Sequence, residues 1–353
     1  MRVSVIIPTY NAARTILATL QSARQQTHQN LEIIVVDDGC TDKTMEIVEQ
    51  QRREDGRIRI VQQVNSGVCV ARHRALYEAS GDFIATLDAD DIWHPTKIEK
   101  QLIRLIEAPA DVMAVYCWSR RIDEDDNILS TLPAVRAEGF ILCQHVYDNV
   151  IGNGSNLMVR REAAIRVGGY RDDQREPKTQ SADDHLLQLR LATQFRYVVV
   201  PEYLVGYRVV GGSVSSNKEQ LHLSIMRNLE IIKSMTPHVP DWVYRWSRAA
   251  SLFDQLGFNW RQRNFSAMLR TAVTAFCLDP TMCVDRLRLG IIKAVHADRH
   301  PQSRQVRKYY DVSPTANIVE DNGLHRRRMR QLSELDQEIF RTHRKKFVYP
   351  ASV

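Results

Sequence analysis

The sequence predicts an α/β protein in which a mixed, mostly parallel sheet with flanking helices is followed by a helical C-terminal region. Two observations support this fold class. Short apolar runs alternate with helical patterns throughout residues 1–105, which indicates repeated βα units and a parallel sheet with helices on both faces. From residue 218 onward the pattern is helical and lacks strand alternation. We therefore expect one α/β domain over residues 1–217 and a distinct helical region over residues 218–353.

The elements of residues 1–105 follow from local patterns. Two continuous apolar runs are typical of strands buried on both faces, and the segment between them has apolar side chains at helical spacing. Thr41 and Asp42 are candidate N-caps, and Pro95 suits the first turn of a helix. The predicted strands are residues 3–7, 31–36, 57–62 and 83–87, and the predicted helices are residues 12–26, 41–53, 67–79 and 95–107.

The elements of the remaining chain are shorter and then wholly helical. Asp123 to Asn127 form a polar run between two strands and are interpreted as a hairpin tip. Helices are also expected over residues 252–277, with a break near Gly257. The other predicted strands are residues 112–118, 157–159 and 197–200, and the other predicted helices are residues 161–167, 184–193 and 220–233.

Composition excludes several classes of protein. No stretch reaches the ~18 consecutive apolar residues of a membrane-spanning helix, and the N-terminus enters a strand too soon for a secretory signal. The six cysteines lack CxxC spacing, which argues against a zinc site or a disulfide framework and favours a reducing compartment. We therefore expect a cytoplasmic protein.

Charge is divided unevenly along the chain. Residues 218–353 contain 23 Lys+Arg and 13 Asp+Glu, a net charge of +10, whereas residues 1–217 contain 25 and 29, a net charge of −4. Residues 326–330 and 344–346 are the basic runs. Two interpretations stay open: a helical cap with solvated arginines, or contact with anionic lipid headgroups at the inner face of the plasma membrane. Nucleic acid is not expected, because no binding motif accompanies the charge.

A cluster of three carboxylates is the most informative local feature. Asp88, Asp90 and Asp91 lie where the apolar strand at residues 83–87 ends. Carboxylates so close together repel one another, and a hard divalent cation is the usual reason for a folded protein to keep them. Ligands also bind at the carboxyl ends of strands in open α/β sheets. The alternative is a solvated acidic turn.

Further motifs follow the other strand ends in a recognisable order. They are Pro8-Thr9-Tyr10-Asn11, Asp37-Asp38-Gly39, Asn65-Ser66-Gly67 with Ala71-Arg72, Asp88-Ala89-Asp90-Asp91, Ser181-Ala182-Asp183-Asp184, and Tyr207-Arg208 before Gly211-Gly212. Together they resemble the family 2 glycosyltransferases of the GT-A fold, which are inverting enzymes that use nucleotide-sugar donors and a divalent metal. The resemblance covers residues 1–217. It implies a nucleotide-binding half over residues 1–105 and an acceptor-binding half over residues 106–217.

The resemblance assigns nine residues to the donor: Pro8, Thr9, Tyr10, Asn11, Asp38, Gly67, Arg72, Asp88 and Asp90. Tyr10 would stack on the base, and Asp38 would accept a hydrogen bond from it. A carboxylate can accept from a uracil N–H but not from the cytosine ring N3, so a UDP or dTDP donor is favoured over CDP. A packed Tyr10, a solvated Arg72 and an Asp37 that caps its own loop are the structural alternatives.

The resemblance also implies a metal site. Asp90 and Asp91 would hold Mg²⁺ or Mn²⁺, and Asp88 would reach the sugar part of the donor. One position departs from the family pattern. Many members have a histidine shortly after the Tyr-Arg pair, where this chain has Val210. The metal would then be short of one protein ligand, which water or phosphate can replace.

The acceptor side is assigned by the same resemblance. Asp184 would be the general base that takes the proton of the attacking hydroxyl, Asp183 would orient groups beside it, and Gly154 and Ser155 would line the acceptor site. The alternative is that the two aspartates only cap a helix. The acceptor expected from family habit is a saccharide or lipid-linked saccharide in surface polysaccharide biosynthesis. A catalytically silent protein that binds sugar nucleotides or serves in assembly is the alternative function.

Overall fold

The computed structural model describes residues 1–170, 182–209, 218–287, 306–315 and 323–343. The strands are β1 Val3–Thr9, β2 Leu31–Asp37, β3 Ile58–Gln62, β4 Phe83–Thr86, β5 Ile92–Trp93, β6 Val112–Ile122, β7 Ile128–Thr131, β8 Leu157–Arg160 and β9 Arg196–Arg208. The helices are α1 Ile16–Arg24, α2 Thr44–Glu54, α3 Val68–Glu78, α4 Lys97–Ile106, α5 Leu142–Tyr147, α6 Arg161–Arg166, α7 Asp183–Ala192, α8 Lys218–Met235, α9 Asp241–Arg261, α10 Phe265–Leu278 and α11 Leu324–His343. Residues 280–287 are helical as well.

One mixed sheet joins the described strands. Its order is β3-β2-β1-β4-β8-β6-β9-β5, and β7 pairs with β6. The strands β1 to β4 run parallel, with Thr9 opposite Asp37 and Ile6 opposite Thr86, whereas β8 is antiparallel to both of its neighbours. This confirms the predicted mixed, mostly parallel sheet. The parallel register brings the loops after β1, β2 and β4 to the same edge.

The two faces of the sheet are covered by different helices. Along β1, Val5 and Ile7 pack under α1, α2 and α4, while Ile6 packs on the opposite face with α3, α5 and α7. This alternation is why β1 is mostly apolar and is buried along its whole length. The second face carries a core that extends beyond residue 217, because Ile232 of α8 and Leu332 of α11 belong to it. The helical region therefore packs on the same core as the α/β part.

Two buried charges fix α11. Asp336 accepts backbone N–H bonds from Cys143 at 2.7 Å and Gln144 at 3.3 Å in α5. Near the other end of α11, Arg328 pairs with Asp279, and its guanidinium lies 4.0 Å from the centre of the Trp246 ring. Arg328 is buried, so this member of the basic run at residues 326–330 serves the packing of the helices.

Three elements differ from the sequence-based expectations in extent or continuity, and β5, α5 and α11 have no counterpart among the predicted elements. β6 and β9 are longer than predicted because they pair with each other along their whole lengths. Val112 lies opposite Arg196 at one end, and Ile122 lies opposite Arg208 at the other. The break expected near Gly257 is wrong: α9 continues through this residue, at a cost of about 1 kcal/mol relative to alanine. The chain turns instead at Arg263, where φ is +53°, and the Asn264 side chain caps α10 by accepting from the Ala267 N–H at 3.1 Å.

Some predicted features lie outside the described residues. They are Ser181, Val210 with the glycine pair that follows it, and the basic run at residues 344–346. In the part of the chain that the structure describes, no helix has both the length and the apolar character needed to cross a membrane.

Candidate functional site

A cavity of about 1180 Å³ opens at the edge of the sheet where the loops after β1, β2 and β4 meet. One wall is formed by these loops and the start of α3, and the other by α5, α7, α8 and α9. It brings together most of the side chains singled out from the sequence: Pro8, Thr9, Tyr10, Asn11, Asp38, Gly67, Arg72, Asp88, Asp90, Asp183 and Asp184. Asp91, Gly154 and Ser155 are not among its lining residues.

The loop after β1 is held by Asn11. Its backbone has φ of +48°, and its Oδ1 accepts N–H bonds from Thr41 at 2.8 Å and Asp42 at 3.3 Å. Asn11 therefore ties this loop to the one after β2. Tyr10, in contrast, is 53% exposed at the mouth of the cavity, so it is not the packed loop aromatic of the alternative interpretation.

Asp38 is buried beneath the turn that leads into α3. Its Oδ1 accepts from the Ser66 N–H at 2.7 Å and the Gln63 amide at 2.8 Å, and its Oδ2 accepts from the Gly67 N–H at 2.9 Å. Gly67 has φ of +91°, a conformation that glycine adopts without strain. Asp38 therefore shapes this turn and keeps acceptor capacity on Oδ2. Asp37 caps its own loop through the Cys40 N–H at 2.8 Å.

Asp91 is fully buried and anchors the acidic loop. Its Oδ1 accepts from the Arg208 N–H at 3.0 Å, and its Oδ2 accepts from the Ser155 hydroxyl at 2.6 Å. The same hydroxyl accepts from the Asp88 N–H at 3.1 Å. Burial, together with Asp90 and Asp88, raises the pKa of Asp91 well above its usual range. Asp91 and Ser155 bond to each other behind the acidic loop, and neither lines the cavity. The metal ligand predicted at Asp91 and the acceptor contact predicted at Ser155 stay predictions.

Asp90 borders the cavity. Burial, and then the nearby Asp88 charge, raise the pKa of Asp90 to about 6, so a bound cation would relieve an unfavourable charge. No group of three or more His, Cys, Asp or Glu side chains that could hold a metal occurs among the described residues. The residues present therefore fit a cation that takes one or two carboxylates here and its other ligands from phosphate and water.

Arg72 joins the acidic loop to α7. Its Nη1 donates to Asp183 at 2.7 Å, and its Nη2 pairs with Asp88. The side chain is only 7% exposed, which excludes a solvated surface arginine. Burial opposes its charge, but Asp183, Asp88 and Asp184 raise the pKa of the guanidinium well above its usual range. Arg72 is thus a fixed cation between the two carboxylate groups of the site.

Asp183 and Asp184 occupy the first turn of α7, and the N-cap position belongs to Ala182. Ala182 has φ of +55°, which is strained for a residue with a Cβ. Its carbonyl accepts from the buried Asn228 side chain at 2.8 Å. The helical region therefore holds the turn that presents the two aspartates, a contact that no sequence pattern indicated.

Asp184 faces the cavity beside Gly154. Burial raises the pKa of Asp184 to about 6, with Asp183 and Asp88 acting in the same direction and Arg72 opposing them. A Cβ at Gly154 would lie 3.4 Å from the Asp184 Cβ and 3.6 Å from its Oδ2. These are ordinary van der Waals distances, so Gly154 lies directly against Asp184 and an alanine would fit there as well, although the residue does not line the cavity itself.

The helical region supplies cavity residues that the sequence did not identify. Apolar and polar side chains of α8 and α9 face the space beyond Asp184, opposite the loops of the sheet: Gln220, Leu221, Ile225, Ser247, Ala250, Ser251 and Asp254. The amphipathic pattern of α8 indicated a buried face. It did not indicate that this face would line the cavity, because that position depends on contacts between residues distant in sequence.

Comparisons with known sequences identify relatives. The model for glycosyl transferase family 2 matches residues 4–168. A Bacillus subtilis (strain 168) protein, TuaG, whose name assigns it to teichuronic acid biosynthesis as a glycosyltransferase, is 33% identical over 218 residues, which are 61% of this chain and 82% of TuaG. The amylovoran biosynthesis glycosyltransferase AmsB of Erwinia amylovora is 28% identical over 67% of this chain and 78% of its own.

Solved structures share the fold. S. aureus TarS 1-349 in complex with UDP-GlcNAc superposes with a TM-score of 0.60 over 84% of this chain and 88% of that one, at 18% identity. The Pyrobaculum calidifontis mannosyltransferase PcManGT, in complex with GDP-Man and Mn²⁺, superposes with a TM-score of 0.51 over 79% of this chain and 87% of its own, at 20% identity. At these identities the likeness shows a GT-A-like fold. Because TuaG is matched over most of its length at 33% identity, this chain belongs to glycosyltransferase family 2.

Proposed function

We propose that this glycosyltransferase moves a sugar, with inversion, from a nucleotide-sugar donor to a saccharide or lipid-linked saccharide in surface polysaccharide biosynthesis. The observation that carries this proposal is the position of Asp184 in the cavity, tied through Asp183 and Arg72 to the acidic loop at Asp88. Teichuronic acid and amylovoran in the names of two relatives support the choice of acceptor class. TarS, solved with UDP-GlcNAc and with UDP, supports the UDP donor.

The proposed reaction needs a base on the face opposite the leaving group. The acceptor oxygen forms a bond to the anomeric carbon while the bond from that carbon to the diphosphate oxygen breaks, and the hydroxyl proton passes to Asp184. A carboxyl whose pKa is near 6 is mostly ionised at neutral pH and is more basic than an ordinary aspartate. Asp183 stays paired with Arg72 and keeps the neighbouring turn in place.

The donor would lie against the wall formed by the sheet loops. Tyr10 offers an exposed ring to the base, with Pro8, Thr9 and Asn11 around it, and Asp38 can accept from a uracil N–H through Oδ2. Asp90, with Asp88, would hold Mg²⁺ or Mn²⁺, which supplies positive charge for the departing diphosphate. Asp91 and Ser155 would support the acidic loop from behind, and their hydrogen bonds to Arg208 and Asp88 support this assignment.

A thermal-shift panel tests donor and metal together. UDP, GDP, dTDP, CDP and their common sugars are each added with Mg²⁺, with Mn²⁺ or with EDTA. A nucleotide at ~100 times its Kd adds about 2.7 kcal/mol of stability, and we expect UDP or dTDP compounds to do this only with the metal. Stabilisation that EDTA leaves unchanged would contradict the metal role of Asp90.

A transfer assay tests catalysis. The stabilising nucleotide-sugar is incubated with bacterial lipid-linked saccharides, and transferred sugar is measured with the wild type and with Asp184→Asn. Donor binding without transfer to any acceptor, and without nucleotide release, would favour the catalytically silent alternative. Transfer that Asp184→Asn abolishes while nucleotide binding persists would support the proposed base.

A further inference from the structure

One face of α10 is apolar and is not covered by any part of the chain that the structure describes. Four of its side chains are half or more exposed: Phe265 at 55%, Leu269 at 65%, Val273 at 54% and Phe276 at 50%. Their spacing of four, four and three residues places them on one stripe of a helix. Trp260, at the end of α9, is 61% exposed and meets Phe265 edge to face with ring centres 5.7 Å apart. We call these five residues the α10 face.

The opposite side of α10 explains why the helix is there. Ala275 is fully buried with Ala249 of α9, and Leu278 packs against the same small cluster with Met282 and Cys283. This small cluster contains Ala275 and Leu278 of α10 and none of the residues of the α10 face. The α10 face is therefore not required for the fold as it stands. Large contiguous apolar surfaces of this kind usually mark a site of interaction.

The segment that forms the α10 face carries only positive charges. From residue 255 to residue 278 the chain has three arginines and no acidic residue. Among these, Arg263 and Arg270 have exposed side chains. The Arg328–Asp279 ion pair places the start of α11 at the C-terminal end of α10, and Arg327 beside it is exposed. An exposed apolar stripe that contains tryptophan and phenylalanine and is bordered by arginine is the pattern of a helix that lies in the interface of a membrane.

We propose that the α10 face docks this glycosyltransferase onto anionic membrane, with Trp260 and Phe265 at the level of the headgroups and Arg263 and Arg270 against lipid phosphates. A symmetric contact with a second copy would bring together two faces that are both bordered by arginine, and like charges there oppose association. An anionic bilayer complements both the apolar stripe and its arginines.

This docking deepens the proposed function, because a lipid-linked acceptor is found at a membrane. It also differs from the expectation based on the basic run at residues 326–330. That run includes the buried Arg328, whereas the α10 face supplies apolar contacts. The proposal therefore predicts that membrane binding needs exposed apolar side chains as well as charge.

The test is co-sedimentation of the full chain with vesicles of phosphatidylcholine alone or with added phosphatidylglycerol. The test variant is the double change Leu269→Gln and Val273→Gln. Its matched control is Ile103→Gln with Ile106→Gln on α4, which are 48% and 47% exposed. We expect the wild type and the control to bind anionic vesicles, and the test variant to bind about tenfold or more weakly. Equal binding by all three proteins would overturn the proposal.

A fluorophore on Cys277 gives an independent readout. Cys277 is exposed next to Phe276, four cysteines are buried, and burial raises the pKa of the half-buried Cys40 to about 12. Because the thiolate is the reactive form, Cys277 should be labelled selectively. We expect its emission to shift to the blue with anionic vesicles and not with neutral ones.

Two further outcomes separate the alternatives. If vesicles are not bound and the test variant instead abolishes a concentration-dependent dimer in sedimentation velocity, the membrane proposal is overturned and the α10 face belongs to a second copy. Asp184→Asn should bind vesicles as the wild type does. If Asp184→Asn loses transfer but still binds vesicles, the result tests the catalytic proposal alone. If the wild type binds the donor but not the vesicles, only the proposal for the α10 face fails.

Discussion

Replacing Asp184 by asparagine should abolish most catalysis and at the same time stabilise the fold. The side chain keeps its size but loses its charge and its basicity. General base catalysis contributes about 10²- to 10⁴-fold, so kcat should fall by that factor, or about 3–5 kcal/mol in activation free energy. The Kd of the nucleotide should not change, because Asp184 is not among the residues proposed to hold the donor or the metal.

The gain in stability follows from the raised pKa. Burial moves the pKa of Asp184 from 3.8 to about 6, so the folded state holds a proton over a pH range in which the unfolded state has released it. The free energy of unfolding therefore falls as the pH rises from about 4 to about 6. Above pH 6 the ionised carboxyl costs about 3 kcal/mol, and the amide removes this cost.

Two assays measure these effects. Chemical denaturation at pH 8 should show Asp184→Asn to be more stable than the wild type by up to about 3 kcal/mol, and the difference should vanish near pH 4. For the wild type, log kcat/KM should decline below pH 6 as Asp184 takes up a proton. Asp125→Asn, a change at an exposed turn residue, is the control and should alter neither property. If Asp184→Asn retains kcat within a few-fold of the wild type, the assignment of the base is wrong.

Three further predictions concern the supporting residues. Asp90→Asn should remove the metal-dependent thermal shift caused by the nucleotide, whereas Asp91→Asn should keep it, because the Asp91 carboxylate faces Arg208 and Ser155 and not the cavity; a shift that Asp91→Asn removes and Asp90→Asn keeps would make Asp91 the metal ligand. Arg72→Met should lower the free energy of unfolding, measured by urea denaturation, by about 3–5 kcal/mol, because it leaves two carboxylates without their cation. It should also move the acid limb of the kcat/KM profile to higher pH. An unchanged urea midpoint would refute the structural role of the ion pairs from Arg72 to Asp88 and Asp183. Asn228→Ala should lower kcat and leave nucleotide binding intact, because the strained peptide at Ala182 loses its donor; a parallel loss of nucleotide binding would indicate general damage to the fold.

The sequence was sufficient for the parts of this protein that depend on local pattern. The apolar runs that became β1 and β2 and the order of polar motifs at the strand ends fixed the mixed sheet, the family resemblance and most of the cavity-lining residues. Parallel strands end at a common edge, so neighbours along the chain become neighbours in space.

Only the tertiary structure decided which polar groups face the cavity and which face the protein. Asp90 and Asp91 are adjacent in sequence and chemically alike, but a chain reversal turns one to the cavity and the other to Ser155 and Arg208. The bond from Asn228 to the turn before α7 joins positions 46 residues apart. Hydrophobic periodicity indicates which face of an element is buried. It does not indicate which residues cover that face, because those contacts join residues distant in sequence.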